Sequence, residues 1–146
     1  MTEFQTVVEK YYTSGYNCSE TLVRAANEYY HLDLHDEDMK MIAGFGGGMF
    51  VGSTCGALVG SVAALSKMVI KTKAHDQLDE IRPYTQKCVR NFKEELGNMD
   101  CAHVKPIHHT KETKCLNTCL LAAKALEKQF WKLWVNNSQF FYIIMT

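Results

Sequence analysis

Six cysteines are the residues of this 146-residue chain best suited to chemistry. A thiolate is a strong nucleophile and a good ligand for soft metals, so cysteines serve disulfide exchange, zinc binding and iron–sulfur clusters. Four of them stand where helices are predicted to begin, namely Cys18, Cys55, Cys101 and Cys115. A helix N-terminus offers unpaired N–H groups and a partial positive charge, and both favour the thiolate over the thiol. The pattern therefore predicts a functional set of four cysteines.

The other two cysteines, Cys88 and Cys119, follow no helix start. We predict that both are core residues, because free cysteine is a common small side chain in protein interiors. No Cys-x-x-Cys pair occurs in the chain, so the common zinc-finger and ferredoxin signatures are absent. The four functional candidates are far apart in sequence, and the fold must assemble any site that they share.

The residues around the cysteines add little specific chemistry. His103, His108 and His109 could donate hydrogen bonds to a thiolate or complete a ligand set, although solvated loop histidines are the simpler interpretation. The glycine-rich segment over residues 44–52 lacks the Lys-Ser/Thr of a phosphate-binding loop. We find no base–nucleophile pair and no paired carboxylates at interpretable spacing. An oxidoreductase or an electron-transfer protein stays open, and a conventional enzyme has the weakest case.

The elements that must position these cysteines are helices. Apolar residues recur at helical spacing, and neither strand alternation nor an internal repeat is visible. The predicted class is all-α, a compact bundle of about five or six helices with a Gly-rich loop. Asn17 with Glu20 resembles a capping box, while Ser53 or Thr54 is the expected cap before Cys55.

Later boundaries are marked by proline, glycine and threonine. A helix is predicted over residues 79–96, with Pro83 in its first turn or just before it. Residues 98–110 are predicted to be mostly irregular, although Cys101 could open a short helical turn. Thr110 or Thr113 is the expected cap of a last helix that carries Cys115 in its first turn.

Composition limits the partners. Sixteen basic and sixteen acidic residues balance, so nothing draws the chain to nucleic acid. The first residues lack the pattern of a secretory signal, and we expect a cytoplasmic protein without a membrane span.

Gly56 and Gly60 form a stripe without side chains on a predicted helix, where a neighbouring helix or the second subunit of a homodimer could pack closely.

The chain is similar to a known family through several short motifs. These are Asn17-Cys18, the glycine run over residues 44–48, the segment Cys-Gly-Ala-Leu-Val-Gly over residues 55–60, and two later single cysteines. Together they resemble the C_GCAxxG_C_C family, bacterial proteins of similar size with a CGAxxG motif that are described as redox-active. The resemblance covers roughly residues 4 to 128, which we take as a four-cysteine helical domain. Residues 129–146 form an aromatic extension, expected to pack on the core or on a partner subunit.

The resemblance implies that the family cysteines are Cys18, Cys55, Cys101 and Cys115. A related four-cysteine region in certain cytochromes is thought to hold an iron–sulfur cluster, so the first hypothesis is cluster binding for electron transfer with an unidentified redox partner. In that hypothesis the four thiolates are the metal ligands, and backbone N–H groups of Gly46, Gly47, Gly48 and Gly56 contact the cluster sulfurs. Two alternatives stay open. One is a thiol–disulfide protein cycling Cys18–Cys55 or Cys101–Cys115, and the other is a structural zinc site in a helical interaction module.

Overall fold

Helices make up nearly all of the regular structure, which confirms the all-α prediction. The computed structural model describes residues 1–145, with side chains described through residue 131. Within that part of the chain there are seven α-helices, two isolated β-bridges and no strand. The helices are α1 (Glu3–Thr13), α2 (Cys18–Tyr30), α3 (Asp36–Met39), α4 (Gly56–Val69), α5 (Leu78–Leu96), α6 (Cys101–His108) and α7 (Leu116–Met145). Short 3₁₀ segments cover Lys40–Phe45 and Ala74–Gln77, and a π-type turn covers Gly48–Gly52.

The start of α2 is fixed by the capping box that the sequence predicts. The Asn17 side chain accepts a hydrogen bond of 3.0 Å from the Glu20 N–H, and the Glu20 carboxylate accepts one of 3.1 Å from the Asn17 N–H. The Asn17 amide also donates to the Ala43 carbonyl, and the Ser19 hydroxyl donates to the Ile42 carbonyl. These bonds tie the glycine-rich segment to the first turn of α2.

The central contact of the fold is the crossing of α2 and α4. A Cβ atom on Gly60 would lie 2.6 Å from the Ser19 carbonyl oxygen, so only glycine allows the two backbones to come this close. The Gly56/Gly60 stripe therefore packs against α2 of the same chain. Of the two occupants that the sequence allowed, the neighbouring helix is the one observed, and this face is not open to a second subunit.

An aromatic cluster closes the core away from the glycine-rich segment. Tyr30 packs edge to face with Phe4 and with Tyr29, and the Phe4 and Tyr29 rings are tilted relative to each other. Phe130 of α7 stacks on Tyr30 with ring centroids 4.3 Å apart. Phe130 is fully buried, whereas the next residue, Trp131, is 67% exposed. The first residues of the aromatic extension thus pack on the core, and the packing predicted for the rest lies outside the described side chains.

Two predicted segments differ from the structure. Residues 101–108 form the regular helix α6, with Pro106 inside it, rather than irregular chain. Pro83 lies in the second turn of α5. Proline lacks the N–H that would have bonded to a carbonyl of the first turn, so α5 loses one hydrogen bond near its N-terminus.

No helix in the described part of the chain has the length and hydropathy of a bilayer-spanning segment.

Candidate functional site

Cys18 is the first residue of α2, as the sequence predicts, and its sulfur is held among N–H donors. The N–H groups of Gly47, Ser19 and Cys18 itself act on the sulfur and lower its pKa. The residue is only 8% exposed. Burial alone would raise the pKa of this thiol, so the hydrogen bonds must outweigh the loss of hydration.

Cys55 lies against Cys18 and supplies the largest of these effects. It is itself the N-cap residue of α4, a role that the sequence assigned to Ser53 or Thr54. Its thiol donates a hydrogen bond to the Cys18 sulfur, which lowers the pKa of Cys18 from 9.0 to about 6. The same bond and burial raise the pKa of Cys55 far above its ordinary range, although the Ala57 and Leu58 N–H groups oppose this. These opposite pKa shifts favour the proton on Cys55 and the negative charge on Cys18.

Gly56 is the residue that lets the two cysteines meet. A Cβ atom at this position would lie 2.6 Å from the Cys18 sulfur and 2.8 Å from the Phe45 carbonyl oxygen. Any side chain here would push the sulfur or the backbone away. The absence of a side chain at Gly56 thus leaves the space that the Cys18 sulfur occupies.

The glycine-rich segment approaches Cys18 through a left-handed turn. Gly47, Gly48, Met49 and Phe50 all have φ near +60°. Glycine adopts this conformation freely, but each of the two larger residues is strained there by about 1–2 kcal/mol. The turn presents the Gly47 N–H to the Cys18 sulfur. It also leaves Phe50 77% exposed.

Cys101 is connected to the pair through a short piece of antiparallel backbone. Thr54 and Asp100 form an isolated β-bridge, with the Cys55 N–H donating to the Met99 carbonyl and the Cys101 N–H to the Ser53 carbonyl, each at 2.7 Å. Cys101 is the first residue of α6 and is partly exposed. The bridge places the backbone of Cys101 near that of Cys55, although the two residues are 46 positions apart in sequence.

Cys115 immediately precedes α7, and its carbonyl accepts the hydrogen bond from the Cys119 N–H. Its N–H donates to the Tyr12 hydroxyl at 2.9 Å, and that hydroxyl in turn acts on the Cys115 sulfur and lowers its pKa. Burial and the negative charge on Cys18 act the other way and raise the pKa of Cys115. Tyr12 was not among the residues singled out from the sequence, because its contact with Cys115 is purely tertiary.

Two clefts give solvent access to these sulfurs, and they meet at Gly47. The Cys18 cleft, of about 280 Å³, is lined by Tyr12, Gly15, Tyr16, Asn17, Cys18, Gly47, Lys114 and Cys115. The Cys101 cleft, of about 500 Å³, is lined by Gly47, Phe50, Gly52, Cys101, Ala102, Lys105, Pro106 and His109. The Cys18 cleft thus exposes Cys18 beside the partly exposed Cys115.

The charge on Cys18 acts on every neighbouring cysteine. It raises the pKa of Cys101 and of Cys115, in each case after burial as the larger cause, while Lys105 lowers both. Cys88 and Cys119 lie in the apolar core, as predicted, and burial raises the pKa of Cys88 to about 12 and that of Cys119 well above 9.0. Both core thiols are therefore protonated at neutral pH, and the charges on Cys18 and Cys115 also raise the pKa of Cys119.

The four cysteines do not form a ready metal site. In the part of the chain that the structure describes, no three His, Cys, Asp or Glu side chains come close enough together to hold a metal ion. The nearby histidines do not complete one. His108 bonds to the Leu96 carbonyl, His103 faces Asp100 at 3.9 Å, and His109 lines the Cys101 cleft. Cys18 and Cys55 lie together at the helix crossing, and the charge on Cys18 acts on the sulfurs of Cys101 and Cys115.

Fold and site define an all-α thiol protein with a hydrogen-bonded pair of cysteines at the crossing of two helices. The family model described as "Putative redox-active protein (C_GCAxxG_C_C)" matches residues 16–129, and the chain belongs to this family. The match includes all four helix-start cysteines. The designation writes the motif as Gly-Cys-Ala, where this chain has Cys55, Gly56 and Ala57.

A relative from Archaeoglobus fulgidus, named "Uncharacterized protein", is 32% identical over 99 residues. The matched segment is 62% of this chain and 66% of the relative, so the chain spans just under two thirds of that protein. Among solved structures, none matches the chain.

Proposed function

We propose that this protein is a thiol–disulfide redox protein in which Cys18 and Cys55 are the redox-active pair. The observation that carries the proposal is the close approach of Cys18 and Cys55 at the α2–α4 crossing, where a Cβ atom on Gly56, the residue after Cys55, would lie 2.6 Å from the Cys18 sulfur. The mutual pKa shifts of the two thiols agree with this approach. A thiolate with a pKa of about 6 is ionised at neutral pH and is the nucleophile that disulfide exchange requires.

The exchange runs in two balanced steps. The Cys18 thiolate attacks one sulfur of a substrate disulfide; a new S–S bond forms, the substrate S–S bond breaks, and the other half leaves as a thiolate. Cys55 then gives up its proton and attacks the Cys18 sulfur of this mixed disulfide. The second half of the substrate leaves as a thiolate, the protein holds a Cys18–Cys55 disulfide, and two electrons have passed to the substrate. Reduction by a dithiol reverses both steps.

The proposal is tested by single cysteine replacements and a redox titration. The reduced protein is equilibrated with oxidised and reduced dithiothreitol, quenched with acid and alkylated, and its intact mass is measured. We expect a two-electron transition in the wild type that is lost in Cys18→Ser and in Cys55→Ser. Cys88→Ser is the matched control, because this thiol lies in the core away from the pair. A transition that persists in Cys18→Ser would overturn the proposal.

Iron–sulfur binding is the second candidate, and one observation favours it. Four family cysteines begin four helices around one region, with N–H groups directed at Cys18, and such donors also stabilise cluster sulfurs. In this candidate function, Cys18, Cys55, Cys101 and Cys115 would be the cluster ligands. Anaerobic reconstitution with ferrous iron and sulfide tests this, with zinc alone as a parallel arm. Stoichiometric iron and sulfide, lost in Cys101→Ser, would support a cluster, and colourless iron-free protein would rule it out.

A further inference from the structure

The Cys18 cleft contains a second unusual residue, which the exchange chemistry above does not use. Lys114 has a φ of +53°, in the left-handed region that residues other than glycine seldom adopt. It is held there by a tight turn in which Thr110 and Lys114 exchange backbone hydrogen bonds of 3.2 and 2.8 Å. The Thr113 N–H bonds to the Thr110 hydroxyl and fixes the same turn. Strain of this kind persists where the surrounding structure enforces it, often at functional sites.

The consequence of this turn is that Lys114 lines the cleft beside Cys18 and Cys115. Among the residues that line the cleft, Lys114 is the one with a basic side chain, and it forms no ion pair among the described side chains. Tyr12 and Tyr16 also line the cleft. Tyr16 is backed by the Arg24 guanidinium, 4.4 Å from the ring centroid, and that guanidinium is neutralised by Asp36.

The volume of the cleft restricts what can enter it. About 280 Å³ is at the small end of ligand clefts, which span about 300–1,000 Å³. A folded partner could not bring its own disulfide to Cys18 in such a space, but a small molecule fits. The small molecule must also carry a group that pairs with the Lys114 ammonium, and a carboxylate does so.

We propose that the Cys18 cleft binds small disulfides that carry a carboxylate, and that Lys114 is the residue that recognises the carboxylate. The inference rests on the proposed function, because Cys18 must be the attacking thiolate. Lys114 holds one arm of the disulfide while Cys18 bonds to the nearer sulfur. The other half leaves past Tyr12 as a thiolate that bears its own carboxylate.

Three disulfides of different charge test the proposal. The reduced protein is mixed with 3,3′-dithiodipropionate (two negative charges), 2-hydroxyethyl disulfide (neutral) or cystamine (two positive charges), and formation of the pair disulfide is followed by acid quench and mass. The attraction between a positive and a negative charge about 4 Å apart in water corresponds to about a fivefold change in rate. We therefore expect Lys114→Gln to slow dithiodipropionate about fivefold relative to the neutral disulfide. Lys114→Glu should slow it further and speed cystamine.

Lys111→Gln is the matched control, since this exposed lysine belongs to the same turn but does not line the cleft. The neutral disulfide separates recognition from reactivity, because a change in the Cys18 thiolate itself would slow all three probes alike. Equal slowing of the three by Lys114→Gln, no slowing, or the same effect from Lys111→Gln would overturn the inference and leave the proposed function standing. Failure of all three to oxidise the wild-type pair would instead overturn the proposed function.

Discussion

The proton shared by Cys18 and Cys55 determines the reactivity of both residues. The Cys18 sulfur is buried, which disfavours a charge, yet it receives the Cys55 thiol and several peptide N–H groups. Because hydrogen bonds to an ionised acceptor are stronger than those between neutral groups, the charge settles on the sulfur with more donors. Cys55 correspondingly becomes a poor acid until Cys18 is consumed in a mixed disulfide. In the proposed exchange, this asymmetry gives the order of attack, with Cys18 first and Cys55 second.

The pH dependence of alkylation reports this arrangement directly. Pulses of iodoacetamide at pH 4–10, read at the peptide that contains Cys18, should give half-maximal rate near pH 6 because only the thiolate reacts. The rate falls below that pH as Cys18 becomes protonated. Cys55→Ala removes the donor and should move the midpoint upward, toward 9.

Cys55→Ser is the control for this shift, since a hydroxyl can still donate the hydrogen bond. It should retain a midpoint well below that of Cys55→Ala. A wild-type midpoint near 9, or one that does not respond to Cys55→Ala, contradicts the described pair.

At the scale of elements, the α2–α4 crossing is what brings the two thiols together. Gly60 allows the backbones to meet at Ser19, and Gly56 leaves room for the Cys18 sulfur. The spacing of the two glycines on one face of α4 therefore has a specific result. The glycine face of α4 packs closely against α2, and Cys55, the residue before Gly56, pairs with Cys18.

Gly56→Ala should damage both stability and reactivity. The added methyl would overlap the Cys18 sulfur, and overpacking of this kind costs about 1–3 kcal/mol. We expect a lower midpoint of urea unfolding and a higher pKa for Cys18, measured by the same alkylation pulses. Gly44→Ala is the control, because a Cβ there meets nothing within 4 Å. Equal stability of Gly56→Ala and the wild type would show that the crossing is looser than described.

The left-handed turn provides a second test among the elements. Phe50→Gly relieves strain of about 1–2 kcal/mol and loses little packing, while the extra freedom of glycine in the unfolded chain costs about 0.5–1 kcal/mol. Urea unfolding should therefore show unchanged or slightly higher stability. Val51→Gly, at an equally exposed neighbour without positive φ, should lower it. If both glycines destabilise the protein alike, the turn is not strained.

Local signals in the sequence were enough to predict part of this arrangement. The capping box depends only on Asn17 and Glu20, three positions apart in sequence. The prediction that cysteines stand at helix starts rests on local signals of the same kind. The pairing of Cys18 with Cys55, by contrast, depends on how α2 and α4 cross, and spacing in sequence left Cys101–Cys115 as an equal alternative. Met49 and Phe50 could not be assigned positive φ, because their side chains disfavour it. Tyr12 and Lys114 were missed because only the folded chain brings them to the cleft.

At the scale of the whole molecule, the Cys18–Cys55 pair and the main aromatic cluster occupy different parts of the core. The pair lies where α2, α4 and the glycine-rich segment meet, whereas Phe130 of α7 anchors on Tyr30 near the end of α2. Stability and thiol chemistry should thus be separable by mutation. Replacements in the aromatic cluster should change the free energy of unfolding and leave the Cys18 pKa alone.

Phe130→Ala tests this separation. Truncating a fully buried Phe costs about 3–5 kcal/mol, and the lost stacking on Tyr30 is included in that cost. Trp131→Ala, at the exposed neighbour, should stay within about 0.5 kcal/mol of the wild type. Urea unfolding gives both values, and alkylation of Cys18 should have the same pH midpoint in both variants. A large effect of Trp131→Ala with none from Phe130→Ala would reverse the orientation described for α7.

The most direct test of the central claim is a disulfide map of the oxidised wild-type protein. The reduced chain is exposed to a mild excess of oxidised dithiothreitol, free thiols are blocked at low pH, and the digest is analysed by mass spectrometry without reduction. We predict one disulfide, joining the peptides of Cys18 and Cys55, with the other four cysteines blocked. A protein that loses no hydrogens, or one whose disulfide joins Cys101 to Cys115 while Cys18 and Cys55 stay free, would contradict the account.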